Sequence, residues 1–342
     1  MSSAIMTRTP LRISFTGGGT DIPGFFQKSW GAVFSTAIDK YVYVTVKRHS
    51  ELFFDRPDRP TGVKGLFRLN YSKSEEVDSL DDISNDIIRE CLRLLEIEPP
   101  LYISTIGDIP ASTGLGGSSA FAVGLLNALH AYRGERVSPG QLAEEASQVE
   151  IDILGNPIGK QDQYAAAFGG LNVFCFKPDG AVTVEHQRIS ESDRRRLFAS
   201  MMLFWTGHQR DASKILAEQK ENTEAEFDRL CRMRDMARYT QDLAAEGRLD
   251  SPTLGGLLND GWQEKRKLAS GISNIGIDTW YERAVEAGAY GGKLCGAGGG
   301  GFLLFMVPPE RRDAVRRSLA DLTEVPFAYE ARGSQAIQPF RD

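Results

Sequence analysis

Gly114, Leu115, Gly116, Gly117, Ser118 and Ser119 form the stretch of this sequence best suited to chemistry. They lie in the run Pro110-Ala-Ser-Thr-Gly-Leu-Gly-Gly-Ser-Ser-Ala, between a strand expected over 101–106 and a helix expected over 118–132. In that helix Phe121, Leu125, Leu129 and Tyr132 share a stripe. A glycine loop that empties into a helix presents unpaired N–H groups and the positive end of the dipole, which suits phosphate. The two serines add hydroxyls, one of which could reach a phosphate-bound Mg2+, an ion that prefers oxygen ligands. The same residues could also serve as a plain helix cap with a flexible lead-in. No Lys-Ser or Lys-Thr follows the glycines, so this is not a Walker A loop.

Two more glycine clusters call for separate explanations. Gly17-Gly18-Gly19 joins an apolar segment at 11–15 to Thr20-Asp21. Taken alone it reads as a turn, with Asp21 able to accept hydrogen bonds from sugar hydroxyls. The run at 296–301 holds a formal GxGxxG, yet the residues after it, Phe302-Leu-Leu-Phe-Met-Val307, have a strand pattern. A dinucleotide fingerprint must open a helix, so an oxidoreductase reading fails on context. Glycines before a strand instead let one backbone pack closely against another segment or a ligand.

The elements that must position these loops follow from periodicity. A long strand is expected over 32–47, alternating at 41–46, and a short one near 65–71 inside a loop at 50–75. Ile83, Ile87, Ile88, Cys91, Leu92 and Leu95 give one helical face over 81–95. Ser138-Pro139 caps a helix running to about 154. A strand follows within 169–176, then a charged helical stretch at 209–248 and a helix at 277–287. The end of the chain reads as a strand at 302–307, a helix at 309–322 and an edge strand at 326–331. The basic run Arg194-Arg195-Arg196 marks a boundary, giving an α+β chain in two parts, 1–190 and 191–342.

Composition narrows the function. At 41% hydrophobic and 25% charged, the 342 residues do not describe a disordered chain. Forty basic and 46 acidic residues give a net charge of −6 and no global electrostatic case for nucleic acid. No apolar run reaches the roughly 20 residues a bilayer span needs, and the N-terminal residues lack a signal-peptide pattern. Four scattered cysteines form no CxxC pair and four histidines no metal spacing. Reduced thiols and a cytoplasmic location are expected, with no membrane partner; a homodimer is left open.

In their order and spacing the three clusters resemble the GHMP kinase superfamily, whose members phosphorylate sugars, mevalonate-type alcohols and homoserine. Pro10-Leu-Arg12 with residues 17–21 is similar to the first motif, 110–120 to the phosphate-binding second, and 293–302 to the third. The resemblance implies a two-domain fold, its N-terminal domain with a left-handed βαβ crossover and its C-terminal domain ferredoxin-like. PLRISFTGGGTDIPGFF followed by GAVFSTAIDKYVYVTV resembles the branch acting on D-glycero-D-manno-heptose 7-phosphate. Galactokinases and mevalonate kinases usually carry Gly-Glu-His where this chain has Gly17-Gly18-Gly19.

That resemblance implies ATP and Mg2+ as cofactors and a sugar phosphate as acceptor. Residues 114–119 would cradle the ATP phosphates, and Ser119 and Glu150 would hold the metal. Asp162 would take or orient the hydroxyl proton, beside the fixed charge of Arg12. Gly18, Gly19, Thr20, Asp21, Gly298 and Gly299 would line the substrate site. Lys160 is the candidate cation for the substrate's phosphate, with Lys293 and Arg210 behind it. Heptose 1-phosphate, fucose or a galactose-like sugar are the alternative acceptors. A non-catalytic sugar–nucleotide sensor is a further reading, opposed by the presence of Ser119, Glu150 and Asp162.

Overall fold

The computed structural model describes residues 4–48, 66–208 and 213–337, so Arg210 and most of the 50–75 loop lie outside it. The first sheet is built on β1 (Ile5–Thr16) and β2 (Gly31–Arg48). Beside them come β3 (Phe67–Asn70), β4 (Ser74–Val77), β5 (Leu101–Gly107), β6 (Leu171–Phe176) and β7 (Val182–His186). The second sheet holds β8 (Met201–Trp205), β9 (Gly291–Leu294), β10 (Phe302–Met306) and β11 (Thr323–Glu324); β12 (Gln335–Ile337) returns to the first.

The helices are α1 (Pro23–Phe26), α2 (Asp86–Leu94), α3 (Gly117–Tyr132), α4 (Pro139–Ser147) and α5 (Gln161–Phe168). After the first sheet come α6 (Glu191–Ala199), α7 (Ser213–Glu221), α8 (Phe227–Ala245), α9 (Ser251–Lys265), α10 (Ile275–Glu286) and α11 (Arg312–Ser318).

β2 is long enough to serve two neighbours. Its first half, 31–36, pairs with β6, and its second half, 42–48, pairs with β5. The first half is buried throughout, with α3, α5 and α8 all packing on β2, so it lacks the alternation of the second half. The register between β1 and β2 slips at Pro10/Leu11, where proline offers no N–H to the ladder. Arg12 follows this slip and bonds through its backbone N–H to Leu115 O at 3.0 Å, tying β1 to the second glycine loop.

The second sheet runs in the order β11-β8-β10-β9, all antiparallel. With helices after β8 and after β10, this is the β-α-β-β-α-β arrangement of a ferredoxin-like domain. The protein is therefore α+β in two domains; one apolar cluster runs from the first sheet onto the second sheet's Leu203, Phe302 and Leu304, and a second lies mainly among β8, β10 and the helices packed on them.

Several elements differ from expectation. Residues 326–331 form no strand beyond an isolated bridge at Tyr329 to Ile38; they run back along β2 through Asp39 N–H to Ala328 O at 3.0 Å. The last described segment thus packs on the first sheet, so the division at 190 does not hold for the chain end. The helix expected over 81–95 breaks into a 3-10 turn at Leu80–Asp82 and α2, because Asn85 caps Ile88 N–H. The periodicity predicts no helix over 251–265, yet α9 forms there: Asp250 caps Thr253 N–H and Pro252 opens it.

Candidate active site

The loop before α3 is shaped to show its N–H groups. Ser112, Gly114 and Gly116 have positive φ (61°, 86° and 78°), a conformation that turns successive backbone donors to one side. Gly116 is the N-cap and no side chain satisfies the first-turn N–H groups, which remain free for an anion. A Cβ on Gly117 would meet nothing within 4 Å, so the mouth is open.

Arg12 and Asp162 meet beside that mouth. Arg12 Nε donates to Asp162 Oδ1 and Nη2 to Oδ2, both at 2.7 Å, in a bidentate fork. The third nitrogen, Nη1, donates to Gly114 O at 2.7 Å. Asp162 stands in the first turn of α5, with its side chain 22% exposed. A Cβ on Gly116 would lie 3.4 Å from Asp162 Oδ2, so the carboxylate abuts the cap of α3.

Glu150 is buried at the other end of the same helix start. It lies in a π-helical turn, Gln148–Ile153, where the sequence reading expected α-helix to continue; such wide turns recur at functional sites. Ser118 Oγ donates to Glu150 Oε1 and Gln163 Nε2 to Oε2, both at 2.7 Å. Burial raises the Glu150 pKa, against hydrogen bonds from Ser119, Ser118 and Gln163 that lower it, and the charge of Asp162 raises it further. A buried carboxylate flanked by hydroxyls, with Gln163 Oε1 lacking any partner, is an oxygen-rich spot short of positive charge. That donor set fits Mg2+. Among the described residues no group of three or more His, Cys, Asp or Glu side chains could hold a metal, so the remaining ligands of such an ion would be phosphate and water.

The first glycine cluster is a tight turn. A Cβ on Gly17 would strike Ala32 O at 1.9 Å. Thr20 was expected to hold a sugar hydroxyl, but it is buried and faces inward: its Oγ1 lies 2.8 Å from Gly17 O and 3.0 Å from Ala32 O, and accepts from Ala32 N–H. Asp21 is also buried, accepting from Gly19 N–H at 3.0 Å and from Gln161 Nε2 at 3.1 Å. Burial, then the nearby charge of Asp162, raises its pKa. Asp21 organises the turn around Gly18 and Gly19, of which Gly19 is partly exposed.

The third cluster is a packing device. A Cβ on Gly296 would lie 2.3 Å from Gly114 Cα, and one on Gly301 2.4 Å from Thr113 O. Gly298 and Gly299, expected to contact substrate, are buried against the backbone of Ile272; Gly299 N–H donates to Ile272 O at 2.9 Å. They correct to structural positions.

The cations also redistribute. The Lys160 ammonium is bound to Glu144 Oε2 at 2.9 Å and Gly180 O at 3.3 Å, which removes it as a free phosphate ligand. Lys293 is buried, donating to Ser14 O at 2.8 Å and Phe15 O at 3.3 Å. Lys265, at the end of α9, was missed. Its Nζ donates to Gly296 O at 2.5 Å. Burial and then the charge of Arg12 lower its pKa, against the opposing pull of Asp21, Cys295 and Asp162. Gly296 rests on Gly114, whose carbonyl holds Arg12, so Lys265 stands one backbone layer from the Arg12–Asp162 pair.

Residues 85–170 match the GHMP kinase N-terminal domain and residues 244–323 the GHMP kinase C-terminal domain. The chain is 32% identical to D-glycero-alpha-D-manno-heptose 7-phosphate kinase of Campylobacter jejuni, over 97% of this chain and 99% of that one. The chain belongs to the GHMP kinases. A galactokinase of Pyrococcus furiosus is 24% identical over 96% of each chain. Among solved structures, a D-glycero-D-manno-heptose 1-phosphate kinase from Bacteroides thetaiotaomicron superposes with a TM-score of 0.78 at 24% identity, covering 98% of this chain and 100% of that one. Lactococcus lactis galactokinase complexed with galactose gives 0.71 at 18% identity, covering 97% and 95%. As a GHMP kinase the protein is a phosphotransferase that takes ATP as donor and an alcohol as acceptor. No helix among the described residues is long and apolar enough to cross a membrane.

Proposed function

We propose that this kinase transfers the γ-phosphoryl group of ATP to the anomeric hydroxyl of D-glycero-D-manno-heptose 7-phosphate, giving the 1,7-bisphosphate. The observation that carries the chemistry is the Asp162 carboxylate, clamped by Arg12 and abutting the cap of α3. A proton acceptor therefore borders the place where N–H groups would receive phosphate. The choice of acceptor is supported by the 32% identity to the Campylobacter jejuni enzyme along nearly the whole chain.

Phosphoryl transfer asks mainly for alignment and charge neutralisation. Residues 114–119 receive the phosphate oxygens on backbone N–H groups. Asp162 accepts the proton of the attacking hydroxyl as its oxygen bonds to the γ-phosphorus and the bridge to ADP breaks. Arg12 fixes the carboxylate by two bonds, so that its lone pairs face the acceptor. Lys265 adds positive charge from one backbone layer behind the Arg12–Asp162 pair. Ser119, Ser118 and Glu150 are the residues that would hold Mg2+, which would supply positive charge to neutralise the nucleotide phosphates. We also propose a cytoplasmic location, supported by four free cysteines.

A coupled ADP-release assay with heptose 7-phosphate, heptose 1-phosphate, fucose, galactose and mevalonate tests this. Heptose 7-phosphate should have the highest kcat/KM. Turnover of free sugars alone would sink the assignment, and absence of any turnover would favour a sensor.

A further inference from the structure

Two amides flank the Gly18–Gly19 peptide and each has one buried hydrogen-bonding atom without a partner. Gln219, on α7 of the C-terminal domain, is 9% exposed, and its Nε2 lies 3.7 Å from where a Cβ on Gly19 would sit. That nitrogen has no acceptor. Gln161, on α5 of the N-terminal domain, spends its Nε2 on Asp21 Oδ1 at 3.1 Å, and its Oε1 has no donor. Its Nε2 lies 3.9 Å from a Cβ position on Gly18. Buried polar atoms are seldom left unpaired, and those that are tend to await a ligand, water or ion.

We propose that Gln219 and Gln161 form a subsite that reads hydroxyl groups of the acceptor sugar. This rests on the sugar-kinase reading above. The unmade bonds are one donor and one acceptor, which matches hydroxyls, since each both accepts and donates. A phosphate offers only acceptors and would meet Gln161 Oε1 and the Asp21 carboxylate behind it. An apolar group would leave both amides unpaired. Leu230 Cδ2 and Leu268 Cδ1 approach the same point on Gly19 to 3.6 and 3.8 Å, giving apolar walls for the C–H faces of a sugar. Because the two amides come from different domains, a sugar held here joins those domains through its hydroxyls.

The test uses Gln219→Met, which keeps length and loses the donor, and Gln219→Glu, which keeps shape and reverses the atom's character. Thermal midpoints are read without sugar and with heptose 7-phosphate, alongside KM for sugar and for ATP. Ligand-free Gln219→Met should melt at or above the wild-type temperature, because an unpaired buried amide is removed. Its sugar KM should rise about tenfold to a hundredfold, with ATP KM within about twofold. Its preference for the parent sugar over a deoxy analogue that binds wild type more weakly should shrink towards one. Gln219→Glu should lose the sugar-induced thermal shift. A lower melting point or failure to fold for Gln219→Met, or an unchanged sugar KM in a folded variant, overturns the proposal and makes the amide structural. If wild type ignores heptose 7-phosphate, the acceptor assignment fails alone; whichever sugar of the panel stabilises wild type then serves as the probe, with the same outcomes deciding.

Discussion

The second and third glycine loops have nearly the same composition and opposite jobs. In the third, the space a side chain would need at Gly296, Gly298, Gly300 and Gly301 is taken by backbone: Gly114, Ile272, His208 and Thr113. In the second, only Gly114 is packed in that way, against Cys295, while Gly116 faces Arg12 and Asp162 and Gly117 faces open space. One loop is glycine-rich so that two domains can touch main chain to main chain. The other is glycine-rich so that donors stand clear of side chains where a phosphate can reach them. Glycine content alone does not separate these uses; the neighbours do.

This contrast can be broken from either side. The largest expected effect is that of Gly296→Ala. A methyl group 2.3 Å from Gly114 Cα, on a residue at φ +79°, should cost at least about 3 kcal/mol and lower the thermal midpoint sharply. An unchanged midpoint would mean that the loops do not pack as described. Next is Lys265→Met, expected to lower kcat roughly 10-fold through lost charge one backbone layer behind the Arg12–Asp162 pair. ATP binding should be little affected, and a loss confined to stability would reduce Lys265 to a brace for Gly296.

A smaller effect concerns Lys293, which fastens β9 to the end of β1. Burial, and then the charge of Lys265, push its pKa down to about 7, from an ordinary 10.5. Between those values the unfolded chain holds the proton and the folded protein does not, so stability should rise with pH from about 7 to about 10.5. Below about 7 both states are charged and the dependence vanishes. Lys293→Met should flatten that rise in urea titrations, and equal slopes for both proteins would contradict it. The smallest effect is for Gly117→Ala, where open space and an ordinary φ predict folding stability within about 1 kcal/mol of wild type. Its loss should fall on ATP binding, since the added methyl projects into the mouth.

The loops and the strands that carry them were legible because glycine clusters and apolar alternation are local signals. The turn at Gly17 and the packing role of the third loop could be argued from the residues that follow each. Arg12 and Asp162 stand 150 positions apart and were paired by family resemblance; only the fold puts both forks of the guanidinium on the carboxylate. Thr20 misled because a short hydroxyl near glycines suits a ligand or its own backbone equally well, and the turn geometry chooses the backbone. Lys160 misled because a long side chain can leave its sequence neighbours, here for Glu144. Lys265 was hidden in a helix whose Asp250 cap and Pro252 were readable signals. Gln219 offered none, since an unpaired amide is a property of three-dimensional surroundings. The return of 335–337 to β1 likewise depends on a partner more than 300 residues away.

The central claim is that Asp162, clamped by Arg12 at the cap of α3, receives the proton of the attacking hydroxyl. Asp162→Asn keeps the shape and removes the acceptor. With heptose 7-phosphate and ATP, single-turnover phosphoryl transfer should slow by about 10²- to 10⁴-fold while ATP affinity stays within about threefold. Transfer at the wild-type rate, with ATP bound normally, would contradict the account.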